Sequence, residues 1–287
     1  MDRMRLPHKT LIATLLVLTG AVSVQAQRSD SVLYKHVDTT DLYLYIDYPP
    51  GFDANGSCPA IIFFFGGGWV RGNPGHFEPQ AAYFAERGMV CIRADYRVQT
   101  RHGTTPFEAL KDAKSAIRFV RENAGQLGVD PGRIIASGGS AGGHLAAATA
   151  LVPGFNEGSD NLSYSCVPNA LVLFNPVIDN GPGGYGYERI GEAYKDFSPL
   201  HNIREGAPPT IFFLGTRDQL IPVETAEYYR VVMEKVGSRC DLFLYEGEGH
   251  GFFNYGRSDG YKKTLWQADR FLVSLGYLQK EPLIEIK

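Results

Sequence analysis

The chain has 287 residues, 44% hydrophobic and 21% charged, a balance typical of globular proteins and far from that of a disordered or fibrous chain. Its 28 Lys and Arg stand against 31 Asp and Glu, for a net charge of -3, and no basic run follows the opening segment. That charge balance argues against nucleic acid as a partner.

Residues 1–26 read apart from the rest. "MDRMRLPHK" supplies Arg3, Arg5 and Lys9, residues 10–24 form an almost uncharged apolar run, and "VQA" ends on the small residue Ala26. These are the three parts of a secretory signal, and a run of about 15 residues is short of the roughly 20 that span a bilayer. A retained N-terminal anchor is the alternative. No cysteine follows the run to take a lipid in the manner of a bacterial lipoprotein. The expected product is residues 27–287, secreted or periplasmic, free of the membrane once the signal is removed, and of a length that suits one domain.

The next segment, "VLYKHVDTTDLYLYIDYPP", alternates apolar and polar residues around Thr-Thr-Asp, which predicts an antiparallel hairpin at a sheet edge. "PAIIFFFGGG" is a continuous apolar run, as in a parallel strand covered on both faces. "GHFEPQAAYFAERG" has helical spacing and "MVCIRADYR" is a strand. "PFEALKDAKSAIRFVRENAGQLG" then aligns Ala109, Ala113, Ala116, Ile117 and Val120 on one helical stripe. "RIIASGG" runs into a helix near Ser140; "ALVLFNPV", "PTIFFLG" and "CDLFLYEG" are further strands; "VETAEYYRVVMEKVG" and "YKKTLWQADRFLVSLGY" are helices. The alternation predicts an α/β fold, an eight-stranded, mostly parallel sheet with an antiparallel N-terminal edge hairpin and helices on both faces. The Gly- and Tyr-rich stretch at about residues 180–205 is expected to form a small cap or functional loop.

Four cysteines, Cys58, Cys91, Cys166 and Cys240, fall in the exported part. An oxidising compartment would allow two disulfides in any of three pairings, and buried free thiols at strand starts are the competing reading. Without a C-x-x-C, the spacing does not describe a zinc site.

Gly138-Gly139-Ser140-Ala141-Gly142 matches G-x-S-x-G at a strand-to-helix junction. A serine on that sharp turn lifts its hydroxyl above the sheet, while the glycines let strand and helix approach. No Lys follows in the spacing of a phosphate-binding loop. A serine hydroxyl needs a base, and the base an orienting acid, in the order Ser, Asp or Glu, His on this kind of sheet. Asp218 in "GTRDQLIP" and His250 in "GEGHGFF" each follow a strand in that order. Asp179, after "LFNPVI", competes for the acid role, but it leads into the Gly-rich segment, whereas Asp218 stands on a turn. His144, one helical turn after Ser140, suits a core hydrogen bond better than a base, and His201 is placed to line the site. Gly67 and Gly68 in "FFFGGGWVRGN", with the N–H of Ala141, are the expected oxyanion donors, each worth about 3 kcal/mol in the transition state.

From "PAIIFFFGGGW" through "RADYR", "DPGRIIASGGSAGGHLAA" and "GTRDQLIP" to "GEGHGFF", the chain resembles the α/β-hydrolase fold. Within it, the resemblance is to the hormone-sensitive-lipase-like and feruloyl or acetyl esterase branch, and its serine segment is more similar to carbohydrate-associated esterases than to lipases with Gly-Asp-Ser-Ala-Gly. Phe65 stands where that family usually carries the histidine of His-Gly-Gly-Gly, so polar anchoring of the glycine loop must come from elsewhere. The resemblance implies a serine carboxylesterase acting on a small-molecule or oligosaccharide ester, acetyl or feruloyl in type, with catalytic Ser140, Asp218 and His250, an oxyanion hole of Gly67, Gly68 and Ala141, and no metal or organic cofactor. Trp69 and Phe252 are candidate walls of the acyl pocket, with ordinary core as the competing role. A secreted peptidase of the prolyl-oligopeptidase type, an esterase acting on small lipid esters and a non-enzymatic binding module are the alternatives.

Overall fold

The computed structural model describes residues 28–257 and 259–284, so the expected signal lies outside the described residues. In chain order come β1 (Ser29–Val37), β2 (Thr40–Asp47), β3 (Cys58–Phe64), α1 (Glu78–Glu86), β4 (Val90–Ala94), α2 (Gln99–His102), α3 (Pro106–Glu122), β5 (Val129–Gly139) and α4 (Ala141–Leu151). They are followed by β6 (Ala170–Phe174), α5 (Tyr187–Ile190), α6 (Tyr194–Phe197), β7 (Thr210–Gly215), α7 (Val223–Lys235), β8 (Cys240–Tyr245) and α8 (Gly260–Ser274). All eight strands form one sheet in the order β1-β2-β4-β3-β5-β6-β7-β8. β1 and β2 are the antiparallel hairpin, β2 runs antiparallel to β4, and every other pair is parallel. This is the α/β-hydrolase fold.

Period-two packing explains the uninterrupted apolar runs. On β3, Ala60, Ile62 and Phe64 face the layer of α3, α4 and α7, while Ile61 and Phe63 face the layer of α1 and α8. All five side chains are at most 1% exposed, so each buried Ile or Phe contributes roughly 2 kcal/mol. The register brings Phe64 of β3 beside Gly138 of β5, so the loops leaving these two strands emerge side by side.

α3 starts at a sequence-encoded boundary: Thr105 caps Phe107 N, Glu108 returns to Thr105 N at 2.9 Å, and Pro106 fills the first position. α4 is buried on every side, which its run of Ala and Gly permits. Between β6 and β7 the chain folds into α5, α6 and two 3-10 turns at Gly191–Ala193 and Pro199–Asn202, which form the cap over α4.

The four cysteines are free thiols, three of them buried. Of the two sequence readings, the structure takes the undisulfided one. Burial raises the Cys91 thiol well above its ordinary value and pushes Cys240 up to about 12, which keeps both protonated and unreactive. Among the described residues, no helix is long and apolar enough to cross a membrane.

Candidate active site

The turn from β5 to α4 is built from glycines that nothing larger could replace. A Cβ on Gly142 would lie 2.0 Å from the Phe64 carbonyl oxygen and 2.4 Å from that of Phe65, and one on Gly138 would meet the Gly142 carbonyl at 2.4 Å. On Gly139 it would strike the Phe253 ring, and on Gly143 it would strike Pro176. Ser140 sits at φ 55, ψ -120, a conformation an L-residue adopts only under compulsion. Hydrogen bonds supply it: Ser140 N–H donates to Phe174 O at 3.0 Å, while Ser140 O accepts from Val177 N and His144 N.

Three side chains that are distant in sequence meet above this turn. His250 Nε2 lies 2.9 Å from Ser140 Oγ, and His250 Nδ1 lies 2.7 Å from Asp218 Oδ2. The Asp218 carboxylate is completely buried. Its second oxygen accepts the N–H groups of Leu220 at 2.8 Å and Ile221 at 3.1 Å, which fix the carboxylate in plane. Asn175, at the end of β6, was not singled out from sequence. Its Oδ1 accepts Gly251 N–H at 3.0 Å and its Nδ2 lies 3.4 Å from His250 Nε2, which steadies the loop that bears the histidine.

Opposite Ser140, Gly67 has φ +124 and Gly68 φ +66. A Cβ on Gly67 would fall 2.1 Å from Arg71 O, and one on Gly68 2.7 Å from the Tyr185 hydroxyl. Among the described residues, no acceptor takes the N–H of Gly67, Gly68 or Ala141, which leaves all three available to an oxyanion. Gly68 O accepts from Arg189 Nη1 of the cap at 2.6 Å.

A cleft of about 800 Å3 opens over these groups, lined also by Val70, Arg71, His76, Tyr185, Leu220 and Phe253. Trp69 and Phe252, expected as its walls, do not line it. Trp69 turns under the cap, 1% exposed, against His144 and Phe197. Phe252 packs on Tyr245 beneath the sheet, and its neighbour Phe253 takes the place expected of it. A one-residue difference in loop phase decides which side of a chain faces the cleft.

His201 also stays out of the cleft, on the cap 3.8 Å from Asp179, which in turn accepts Gly181 N–H. Asp179 therefore orders the cap, and Asp218 alone of the two reaches His250. His144 is fully buried with Nε2 3.3 Å from Phe197 O, and burial pushes its pKa down to about 3, which leaves it a neutral core group. No sequence motif connects His76 and Asn254, both on the cleft wall.

Chemically, such a set can raise a serine hydroxyl to a nucleophile, shuttle one proton and stabilise a tetrahedral oxyanion.

Comparison with known proteins agrees with this geometry. Residues 44–180 match the BD-FAE family model, and residues 183–270 that of the dienelactone hydrolase family. An Oryza sativa subsp. japonica protein named "Probable isoprenylcysteine alpha-carbonyl methylesterase ICMEL1" is 30% identical over 268 residues, 83% of this chain and 61% of the relative. Esterase LipC of Mycobacterium tuberculosis (strain ATCC 25618 / H37Rv) is 32% identical over 217 residues, 68% of this chain and 53% of the relative. The chain thus spans less than two thirds of these curated relatives. The apo structure of Thermogutta terrifontis esterase 2 superposes with a TM-score of 0.85 at 48% identity, covering 88% of this chain and 97% of that one. Other structures of that esterase hold propionate or butyrate, or are phosphorylated by paraoxon.

Proposed function

This chain belongs to the α/β-hydrolase esterases, and from that membership we propose that it hydrolyses short-chain carboxylic esters through an acyl-enzyme on Ser140. Ser140 Oγ attacks the ester carbonyl carbon as His250 Nε2 takes its proton. The carbonyl oxygen becomes an oxyanion held by the amides of Gly67, Gly68 and Ala141. Collapse expels the alcohol, which receives the proton from His250, and leaves the acyl group on Ser140. Water then attacks the acyl carbon, His250 takes its proton, and the carboxylic acid departs as Ser140 is reprotonated. Asp218 keeps the imidazole in the tautomer with its proton on Nδ1 and stabilises the imidazolium in each half-reaction.

The observation that carries this reading is the unbroken line from Ser140 Oγ through His250 to the buried Asp218, at 2.9 and 2.7 Å. A structural serine would have no need of a strained backbone aimed at a histidine so oriented. The acyl group is proposed to be small, in keeping with the propionate and butyrate seen in the Thermogutta esterase. Acetyl or feruloyl esters on oligosaccharides are the proposed natural class, supported by the BD-FAE match and by a cleft of about 800 Å3 with room for more than a small alcohol. Export is proposed from the signal pattern of residues 1–26.

Purified protein assayed on 4-nitrophenyl acetate, butyrate and dodecanoate, acetylated xylan, feruloylated oligosaccharides and alanyl peptides tests all of this together. Turnover of the short esters that vanishes in Ser140→Ala is expected. Peptide cleavage without ester hydrolysis, or turnover retained in Ser140→Ala, would sink the reading.

A further inference from the structure

Oxyanion donors act only when they are aimed at the place where charge develops. The glycines at residues 66–68 have no side chains with which to anchor themselves, and Phe65 ahead of them is apolar, its ring stacked on Tyr96 at 3.9 Å. Polar grip on Gly66 comes from His76, whose Nδ1 accepts the Gly66 N–H at 3.1 Å. The other ring nitrogen, Nε2, donates to Asn254 Oδ1 at 2.6 Å. Asn254 belongs to the loop of His250, and its own N–H donates to Gly251 O at 3.1 Å. One imidazole therefore spans the gap between the loop that would hold the oxyanion and the loop that carries the base.

Local sequence explains why the ring stands there. Asn73 caps the 3-10 turn Pro74–Phe77, and Phe77 plunges into the core against Phe63 and Phe253. His76, one residue earlier, is left facing the cleft. Because one nitrogen accepts and the other donates, the ring must be neutral with its proton on Nε2. Burial, which lowers its pKa, favours that state. Facing it across the cleft are Arg71 from the glycine loop and His250 from the opposite loop, and no carboxylate lines the cleft among the described residues.

We propose that His76 is a positioning residue for ester hydrolysis, a bridge to Asn254 that fixes the Gly67 and Gly68 amides relative to His250. The proposal rests on the esterase reading above. His76 touches no reacting atom, so its removal should spare substrate binding and slow the chemical step.

Three substitutions separate positioning from mere packing. His76→Leu removes both hydrogen bonds; His76→Gln reaches Asn254 but leaves Gly66 N–H without an acceptor; His76→Asn returns an oxygen to the place of Nδ1. Rates on 4-nitrophenyl acetate are taken per active site, counted from the first-turnover burst of nitrophenol. Leu, Gln and Asn should each lower kcat by about 10- to 100-fold with KM unchanged, the scale of a misplacement near 1 Å, since each breaks at least one leg of the bridge. His76→Leu combined with Asn254→Leu should be no slower than His76→Leu alone, since both act on one bridge. Wild-type kcat in any of the Leu, Gln or Asn variants, or losses that multiply in the double variant, would overturn the proposal. Should His76→Leu not fold, the Gln and Asn variants decide by themselves. Turnover that survives Ser140→Ala would instead sink the esterase reading, whereas Ser140-dependent turnover indifferent to His76 would sink this proposal alone.

Discussion

Replacing Gly142 by Ala should damage the protein at a position where alanine ordinarily helps. Within a helix the change is favourable by about 1 kcal/mol. Here the new Cβ would lie 2.0 Å from Phe64 O and 2.4 Å from Phe65 O, both backbone atoms of the central strand loop that cannot rotate away. Restoring ordinary contact requires α4 to retreat by more than about 1 Å, and overpacking of this kind costs about 1–3 kcal/mol. At the upper end, the balance is a net loss of about 2 kcal/mol, which in a protein of this size lowers Tm by about 4–8 °C. Ser140 precedes α4 directly, so the retreat also displaces its hydroxyl from His250, and kcat should fall about 100-fold. Thermal unfolding and initial rates on 4-nitrophenyl acetate measure the two effects, with Gly125→Ala, whose Cβ would meet nothing within 4 Å, as the neutral control. A Gly142→Ala protein as stable and as fast as wild type would refute the close-approach argument.

Asp218→Asn should fold normally yet lose about four orders of magnitude in kcat, because the imidazole is then held in the wrong tautomer; an unaltered rate would assign the acid elsewhere. Among the described residues, Arg71 is the one arginine or lysine lining the cleft. Arg71→Gln should therefore lower kcat/KM about tenfold for a 4-nitrophenyl hemisuccinate while leaving the neutral acetate untouched, a charge preference worth about 1.4 kcal/mol; equal effects on both esters would discount it. Lys114 of α3 is buried, donating to the carbonyls of Val152 and Gly154, and burial pulls its pKa from 10.5 to about 8. Between those values the unfolded chain binds the proton that the folded one releases, so stability from this site rises with pH and is lowest below about 8. Urea unfolding of wild type against Lys114→Met should show wild type gaining about 3 kcal/mol on the variant from pH 8 to 10.5, and a flat difference would contradict the shift.

The sheet was legible because its strands are buried on both faces, which leaves runs such as "IIFFF" with no polar interruption. The meeting of Ser140, Asp218 and His250 was legible because the parallel strands' carboxyl ends all point to one edge, where the loops that carry these residues lie. Loop phase was not legible. Nothing in "GHGFF" tells which of Phe252 and Phe253 faces inward; the Phe253 ring packed against Gly139 settles it. The partnership of His76 with Asn254 crosses 178 residues and belongs to no motif, so only the fold reveals it. Asn175 carried a faint signal, an amide directly after a buried strand and before Pro176, where a polar side chain needs a reason to be.

The most direct test of the account is where a serine-directed phosphate triester lands. Native protein treated with diethyl 4-nitrophenyl phosphate, digested and sequenced by mass spectrometry, should carry one diethyl phosphoryl group, on Ser140, with esterase activity lost in proportion to labelling. Protein unfolded in urea before treatment should carry none there. Labelling at another residue in step with inactivation, or full activity with Ser140 occupied, would contradict the assignment of this serine as the nucleophile.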